Sequence, residues 1–386
     1  MPPRVITFTN LFPSQVFPQH GLFVKERMQR VAAGGSLDWS VVSPVPLVPW
    51  FLRRGDYVAW ARLPDQETIA GIPVLHPRYR HWPGLSLSTQ ATRMAEASFA
   101  CVRNALAGRR GLLDAHYAYP DGVAASLVAA RLGIPFTITA RGSDLNVVAA
   151  HPRVREQITR AAHGAAALFA VSDALCARFS EVAGLSEGRV RLARNGVDTE
   201  LFHLGDSGRA RAELGLPSVG KLVLGVGRLV AGKGFHLLGE WLRASEHRLV
   251  LVGAGPERAR LESVLPAGKT IFLGSLPQER VALAYRACDL FVLPSEREGW
   301  PNVVTEALAS GLPVVATAVG GIPQILGGSP YGKLVPSGDS TALASALEAM
   351  LAELPQKAAV RAFALRWSWD EPVALLRAAF TEALAA

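Results

Sequence analysis

Short apolar runs alternate with helical stretches along the whole of this 386-residue chain, and that alternation restricts the fold more than any other feature. In the first half the runs are RVITFT, DWSVVS, IPVLH, LLDAHY, PFTIT, ALFAVS and RVRLA. In the second half they are KLVLGVG, RLVLVG, TIFLG, CDLFVLP and PVVAT. Brief runs with little polar alternation fit strands buried on both faces, and helices between them provide the crossovers that parallel pairing requires. The expectation is an α/β protein with doubly wound parallel sheets. The chain is too long for one ordinary core and suits two domains of roughly 150 to 200 residues. Glycine, proline and polar residues interrupt the pattern from Asn195 to Gly220, which places a first domain at 1–197, a linker at 198–219 and a second domain at 220–367. The tail from Ser368 reads as a last amphipathic helix. No repeat or low-complexity tract occurs.

The remaining composition narrows the setting. The opening MPPRVITFTN enters a strand without the cationic start and long apolar core of an export signal. The longest uncharged stretch, from Ala307 to Gly332, contains Pro313, Pro323 and Pro330 and so cannot be one membrane-crossing helix. Cys101, Cys176 and Cys288 are odd in number and far apart, so neither a disulfide framework nor a zinc site is expected, and the thiols fit a reducing cytoplasm. The formal charge of +8 is uneven: residues 1–196 carry 22 Lys and Arg against 13 Asp and Glu, a net of +9, whereas the remainder carries 18 against 19, a net of −1. Arg53, Arg54 and Arg62 flank VPLVPWFL, and Arg78, Arg80 and His81 precede Trp82. Two readings fit that mixture: peripheral contact with an anionic membrane or a lipid-linked phosphate acceptor, and an arginine-rich solvated surface. Nucleic acid is not expected as a partner, since no reading motif or basic helix is present.

Two segments of the second half carry candidate chemistry. In PSEREGWPNVVTEALASG, Glu298 lies in a loop after the strand CDLFVLP, and Glu306 lies near the start of the next helix, which Gly311 terminates. Both carboxylates can face the crevice where open α/β sheets bind ligands, one towards a sugar hydroxyl and one towards a ribose. The competing reading is a solvated loop carboxylate and a glutamate favoured by the helix dipole. Independently, KLVLGVGRLVAGKG runs from a buried strand into a loop with glycines at 225, 227, 232 and 234 together with Arg228 and Lys233. Glycines permit close backbone approach, and a helix expected from about Phe235 would offer free amides to a phosphate. The loop is neither a P-loop nor a GxGxxG dinucleotide fingerprint. Lysine is scarce here, six against thirty-four arginines, which makes Lys233 less easily a generic surface charge.

These segments, with NLFPSQVFPQHGLFVKERMQRVA, AHYAYPDGVAA, TARGSDLN, VSDAL, NGVDTELF and VGAGPE in this order, resemble family-4 retaining glycosyltransferases of the GT-B fold over nearly the whole chain. The resemblance implies two Rossmann-like domains facing a cleft, with the last helix, 368–386, completing the first domain. It also implies transfer from a nucleoside-diphosphate sugar to a glycan or lipid-linked acceptor, in a setting such as bacterial exopolysaccharide or envelope glycan synthesis. Arg228 and Lys233 would neutralise the donor diphosphate, Glu298 would contact the donor sugar, Glu306 the ribose, and Gly21 would lie near the phosphates. Around the two glutamates the donor site would take in Gly227, Gly299, Trp300, Pro301, Asn302 and Val303, with Asn195 from the inter-domain segment. His116 is expected to shuttle a proton or hold a hydroxyl, against the alternative of a satisfied strand-end histidine. Relatives often carry His where Arg141 stands, so its partner, donor sugar or phosphate, is open, and Asp144 lines the same site or caps a short helix. Donor on one domain and acceptor on the other would require closure, with a hinge near Asn195 to Phe202. No Asp-x-Asp occurs, so transfer without metal or other cofactor is expected. A sugar-nucleotide epimerase or hydrolase of the same fold and a non-catalytic nucleotide-sugar-binding protein are the alternatives.

Overall fold

Valine-, leucine- and isoleucine-rich strands bury both faces only if helices cover each side, and the computed structural model, which describes residues 2–35 and 37–385, does this twice. The described residues of Met1–Asn195 and Asp370–Ala386 form one unit, and Gly196–Trp369 forms the other.

The first unit contains ten strands: β1 (Arg4–Phe8), β2 (Asp38–Val42), β3 (Val45–Leu47), β4 (Gln66–Ile69), β5 (Ile72–Leu75), β6 (Arg78–Arg80), β7 (Gly111–His116), β8 (Phe136–Ala140), β9 (Ala167–Ala170) and β10 (Val190–Leu192). Eight of them make one sheet in the order β10-β9-β8-β7-β1-β2-β5-β4, parallel except where β4 returns antiparallel on β5. Ala70 and Gly71, both with positive φ, make the tight turn of that hairpin. β3 and β6 pair separately. The sequence pattern missed β3, β4 and β6, which are short, polar or proline-bearing. The last helix, Asp370–Ala385, inserts Leu376 and Phe380 among Val5, Val24 and Met28. Its Arg377 donates to the carbonyls of Arg30, Val31 and Ala33, closing the carboxyl end of the helix Leu22–Ala32.

The second unit holds β11 (Leu222–Val226), β12 (Arg248–Val252), β13 (Thr270–Gly274), β14 (Leu290–Leu293), β15 (Val314–Thr317) and β16 (Gly332–Val335), all parallel, in the order β13-β12-β11-β14-β15-β16. β16, with two of its four residues exposed, was not read from the sequence.

The segment expected to be a linker, 198–219, is instead folded onto the second unit. It contains the helix Ser207–Leu214, capped by Asp206, and Arg211 reaches the Ala287 carbonyl and, at 2.9 Å, the Asp289 carboxylate. Arg286 in turn donates to the carbonyls of Leu201 and His203. Glycine and proline mark turns there, and the arginines supply the tertiary contacts that composition alone does not reveal. Among the described residues no helix is long and apolar enough to cross a membrane.

Candidate functional site

In the second unit the loops after β11, β14 and β15 leave the carboxyl edge of the sheet together, where the switch in strand order opens a crevice. They are laced backbone to backbone. The Glu296 amide donates to Gly232 and the Gly321 amide to Gly299, while the Gly227 amide anchors the first loop to the Val252 carbonyl at the end of β12, each at 2.9 Å. Gly320 has φ +55°, and a Cβ there would stand 2.0 Å from the Glu298 carbonyl oxygen, so only glycine lets the β15 loop pass this close. The helix expected from about Phe235 opens instead as 3-10 turns, Ala231–Lys233 and Phe235–Leu238, and is α-helical only over Gly239–Ala244. The amides near the glycine loop therefore belong to tight turns and not to a full helix terminus.

This lacing sets Glu298 beside Lys233. Lys233 Nζ lies 2.5 Å from Glu298 Oε1, and Ser295 Oγ donates to the same oxygen at 2.7 Å. Ser295 is itself fixed, its carbonyl accepting from Thr317 Oγ1 at 2.5 Å. Both ends of the ion pair are mostly but not wholly covered, 21 % and 12 % exposed, so a ligand can still reach them. Arg228, at the head of the glycine loop, has an exposed side chain.

Glu306 lies one turn into the helix Asn302–Ala309, half-buried, with the Tyr285 hydroxyl 3.0 Å from its Oε2 and 3.1 Å from the Val303 carbonyl. Burial, with Glu306 adjacent, raises the Tyr285 phenol well above its ordinary pKa, so it remains a donor. Gly299, Asn302 and Val303 are half-buried beside the loop. Trp300 and Pro301 are buried, and the Trp300 ring packs edge-on against Trp367 at 5.3 Å, inside the second unit.

The first unit gathers its candidates at the carboxyl edge of its own sheet. His116 ends β7 and is fully buried. Arg141, just after β8, places Nη2 2.6 Å from His116 Nδ1 and donates through Nη1 to Asn195 Oδ1 at 2.9 Å. Arginine has no acceptor, so Nδ1 must be unprotonated and the imidazole neutral with its hydrogen on Nε2. Nε2 lies 2.9 Å from Asp114 Oδ2, in contact but without the alignment of a hydrogen bond. Burial lowers the His116 pKa to about 4, with Asp114 opposing and Arg141 adding to the shift. Arg27, also fully buried, donates to Asn195 Oδ1 at 2.9 Å and to the Ala193 carbonyl at 2.6 Å. Two guanidinium groups thus share one amide oxygen. Asp144 accepts from the amides of Ala118, Arg141 and Gly142 and is almost wholly buried, so it ties the loops after β7 and β8 together as a brace. Gly21, with φ +67°, precedes the helix Leu22–Ala32 against the Leu11 carbonyl, and two residues on, the Phe23 ring lies 4.9 Å from Arg141 Cζ.

The structure therefore joins Lys233 with Glu298, and joins His116, Arg141 and Asn195. Sequence reading missed Arg27, Asp114, Ser295 and Tyr285. A charged residue inside the buried run LLDAH was a signal for Asp114, because an ion in such a strand needs a partner. Arg27 gave none, standing in the polar stretch KERMQR. Among the described residues no group of three or more His, Cys, Asp or Glu is placed to hold a metal ion.

Comparison with known proteins agrees with the arrangement. Residues 47–201 match the family model described as Glycosyltransferase Family 4, and residues 220–353 match that of Glycosyl transferases group 1. TuaC of Bacillus subtilis (strain 168), named as a teichuronic acid biosynthesis glycosyltransferase, is 32 % identical over 331 residues, spanning 84 % of this chain and 83 % of TuaC. The chain belongs to glycosyltransferase family 4. The D-inositol 3-phosphate glycosyltransferase of Segniliparus rotundus is a further relative, 30 % identical across 83 % of this family 4 chain and 78 % of that protein. Sucrose-phosphate synthase from Thermosynechococcus elongatus has the same fold, with a TM-score of 0.76, 21 % identity and full coverage of both chains. Anabaena HepE, solved with UDP-glucose, superposes with a TM-score of 0.70 at 19 % identity over 99 % of each chain. The family 4 chain is thus a glycosyltransferase of the GT-B fold.

Proposed function

We propose that the protein moves a hexose from a nucleoside-diphosphate sugar to a glycan or lipid-linked acceptor, with retention of anomeric configuration and without a metal ion. The observation that carries this is the Lys233–Glu298 pair, braced by Ser295 beneath the glycine loop. Departure of a nucleoside diphosphate concentrates negative charge on phosphate and positive charge on the sugar ring, so cations belong at one and a carboxylate near the other. Lys233 and Arg228 meet the first need. Glu298 meets the second by orienting the donor sugar, and Glu306, held by Tyr285, takes the ribose.

A retaining hydrolase would use the carboxylate as a nucleophile. Glu298 is poorly suited, because Lys233 and Ser295 both draw on the oxygen Oε1. Front-face departure, with the leaving phosphate taking the acceptor's proton, fits this environment better. The name of TuaC, a teichuronic acid biosynthesis glycosyltransferase, supports a setting in envelope or exopolysaccharide glycan assembly, and a cytoplasmic position against the inner face of a membrane fits a lipid-linked acceptor. HepE was solved with UDP and UDP-glucose, and starch synthase IV of Arabidopsis thaliana with ADP, so the nucleotide is best found by trial.

The test is nucleotide release from UDP-, GDP- and ADP-sugars in EDTA, with Glu298→Ala as control. Release from one donor, dependent on acceptor and lost in the variant, is expected. Release at full rate without any acceptor would favour the hydrolase or epimerase reading. Activity abolished by chelator and restored by manganese would remove the metal-independent mechanism.

A further inference from the structure

Isolated exposed apolar side chains are ordinary, whereas several of them bound together by short-range structure are not. Residues 47–87 expose Trp50 by 79 %, Phe51 by 57 % and Leu85 by 85 %, with Leu47 and Trp82 near 40 %. Local contacts hold this region together. Leu47 at the end of β3 is opposite Arg80 of β6, the His81 amide donates to the Leu47 carbonyl, and Tyr57 Oη lies 3.3 Å from His81 Nε2. Trp82 and Leu85 share one turn, closed by the Leu85 amide on the Trp82 carbonyl.

The charges around these side chains are mainly positive. Arg54, Arg62 and Arg80 are exposed. Of the acids in the segment, Asp65 pairs with Arg78 at 3.2 Å, Glu67 is buried against His76 at 2.8 Å, and Asp56 opens the short helix Asp56–Trp60. Tryptophan favours the headgroup level of a bilayer and arginine its phosphates, while the exposed Phe51 and Leu85 side chains can enter the acyl boundary. A second copy of the chain is a poorer occupant, because a two-fold contact would bring the same arginines against one another.

We propose that this segment, which exposes Trp50, Phe51 and Leu85 together with Arg54, Arg62 and Arg80, docks the first unit on an anionic lipid bilayer. It deepens the membrane part of the reading above by naming the surface. A cavity of roughly 220 Å³, lined by Asn10, His20, Tyr57, Trp60, His81 and Gln90, is built partly from the same turns, so docking brings the bilayer surface to its edge.

The test is sedimentation of the full chain with phosphatidylcholine vesicles, with and without phosphatidylglycerol, at low and high salt. Binding is expected to the anionic vesicles only and to weaken with salt. Each arginine near the surface contributes about fivefold in affinity, so Arg54→Ala/Arg62→Ala/Arg80→Ala is expected to lower binding roughly 100-fold. Trp50→Ala/Phe51→Ala/Leu85→Ala should lower it even at low salt, and both triple variants replace exposed side chains, so unchanged circular dichroism is the folding control. Equal binding to neutral and anionic vesicles, no binding, or binding that both variants retain would overturn the proposal. So would a dimer, seen by light scattering, that the Trp50 variant dissociates. The assay reads no turnover, so its failure leaves the transferase reading untouched.

Discussion

At the scale of single residues, the direction of Glu298 is fixed before a donor arrives, because Lys233 and Ser295 both meet Oε1. On the proposed mechanism a donor diphosphate competes for Lys233 while Ser295 keeps the carboxylate aimed. Glu298→Ala is therefore expected to lower turnover by roughly 10²- to 10³-fold, with nucleotide affinity changed only a few-fold, since the contact matters most as the sugar gains charge. Glu306→Ala should weaken nucleotide binding as well, because the ribose contact proposed for it would be made equally in ground and transition states. Titration calorimetry beside turnover separates the two, and an unchanged turnover in Glu298→Ala would contradict its role. His116 makes a different prediction. Its pKa is about 4 in the fold against an ordinary value of 6.5, so the unfolded chain binds the proton more readily between those values. Stability from this residue is present above about pH 6.5 and is lost as pH falls towards 4, by about 2 kcal/mol at pH 5. His116→Gln, whose amide oxygen can still accept from Arg141, should show a correspondingly flatter stability profile between pH 7 and 5 in urea denaturation. An identical slope in the two proteins would show that His116 is not the group responsible. The contrast in legibility follows from chain distance: Glu298 and Lys233 sit in motifs a reader can see, whereas the partners of His116 and Asn195 include Arg27, 168 positions from Asn195, and no local pattern joins them.

At the scale of elements, the strands most readily read were those with continuous apolar runs, such as β11, β12 and β14, because burial on both faces requires that composition. β4 reads QETI and β6 reads RYR, and their pairing comes from the hairpin turn and from β3, not from their own pattern. The 3-10 turns on either side of Gly234 were likewise hidden, since glycines announce a loop but not its hydrogen-bonding period. The last helix was legible as amphipathic, yet its docking depends on Arg377, which satisfies three carbonyls at the end of the helix Leu22–Ala32. Arg377→Met keeps most of the apolar stem and removes those donors together with a charge favourable to the helix dipole. The expected cost is about 2 kcal/mol in urea unfolding of the first unit. A loss below about 0.5 kcal/mol would show that water replaces the guanidinium without penalty. The β15 loop offers a test in the other unit. Gly320→Ala forces a Cβ against the Glu298 carbonyl, and is expected to displace Glu298 and lower turnover while leaving the sheet folded, as read by far-ultraviolet circular dichroism.

At the scale of the whole molecule, each unit has its own core: Val5, Met28, Phe169 and Phe380 belong to one, and Val223, Leu251, Val292 and Leu347 to the other. Separate cores can unfold as separate cooperative steps. The sequence showed two sheets but set the linker at 198–219, and the arginine contacts that draw this segment into the second unit leave Asn195 as the point where the chain quits the first unit, to which it returns only at Asp370. Asn195 therefore reports on the arginine network of the first unit, while the glycine loop, Lys233, Glu298 and Glu306 all belong to the second. If those residues hold the nucleotide, a nucleoside diphosphate without sugar binds the native second unit and has no reason to prefer the native first. By mass action it should stabilise the second unit by about 2.7 kcal/mol at a concentration one hundred times its Kd. Hydrogen exchange read strand by strand distinguishes the units, because β11, β12 and β14 should gain protection whereas β1, β7 and β8 should keep theirs. Equal gains in both sets would mean that the nucleotide engages the first unit as strongly. The diphosphate would then have to be reassigned, with Arg141 and the amides around Gly21 as the next candidates, since they are the first unit's own donors at the carboxyl edge of its sheet.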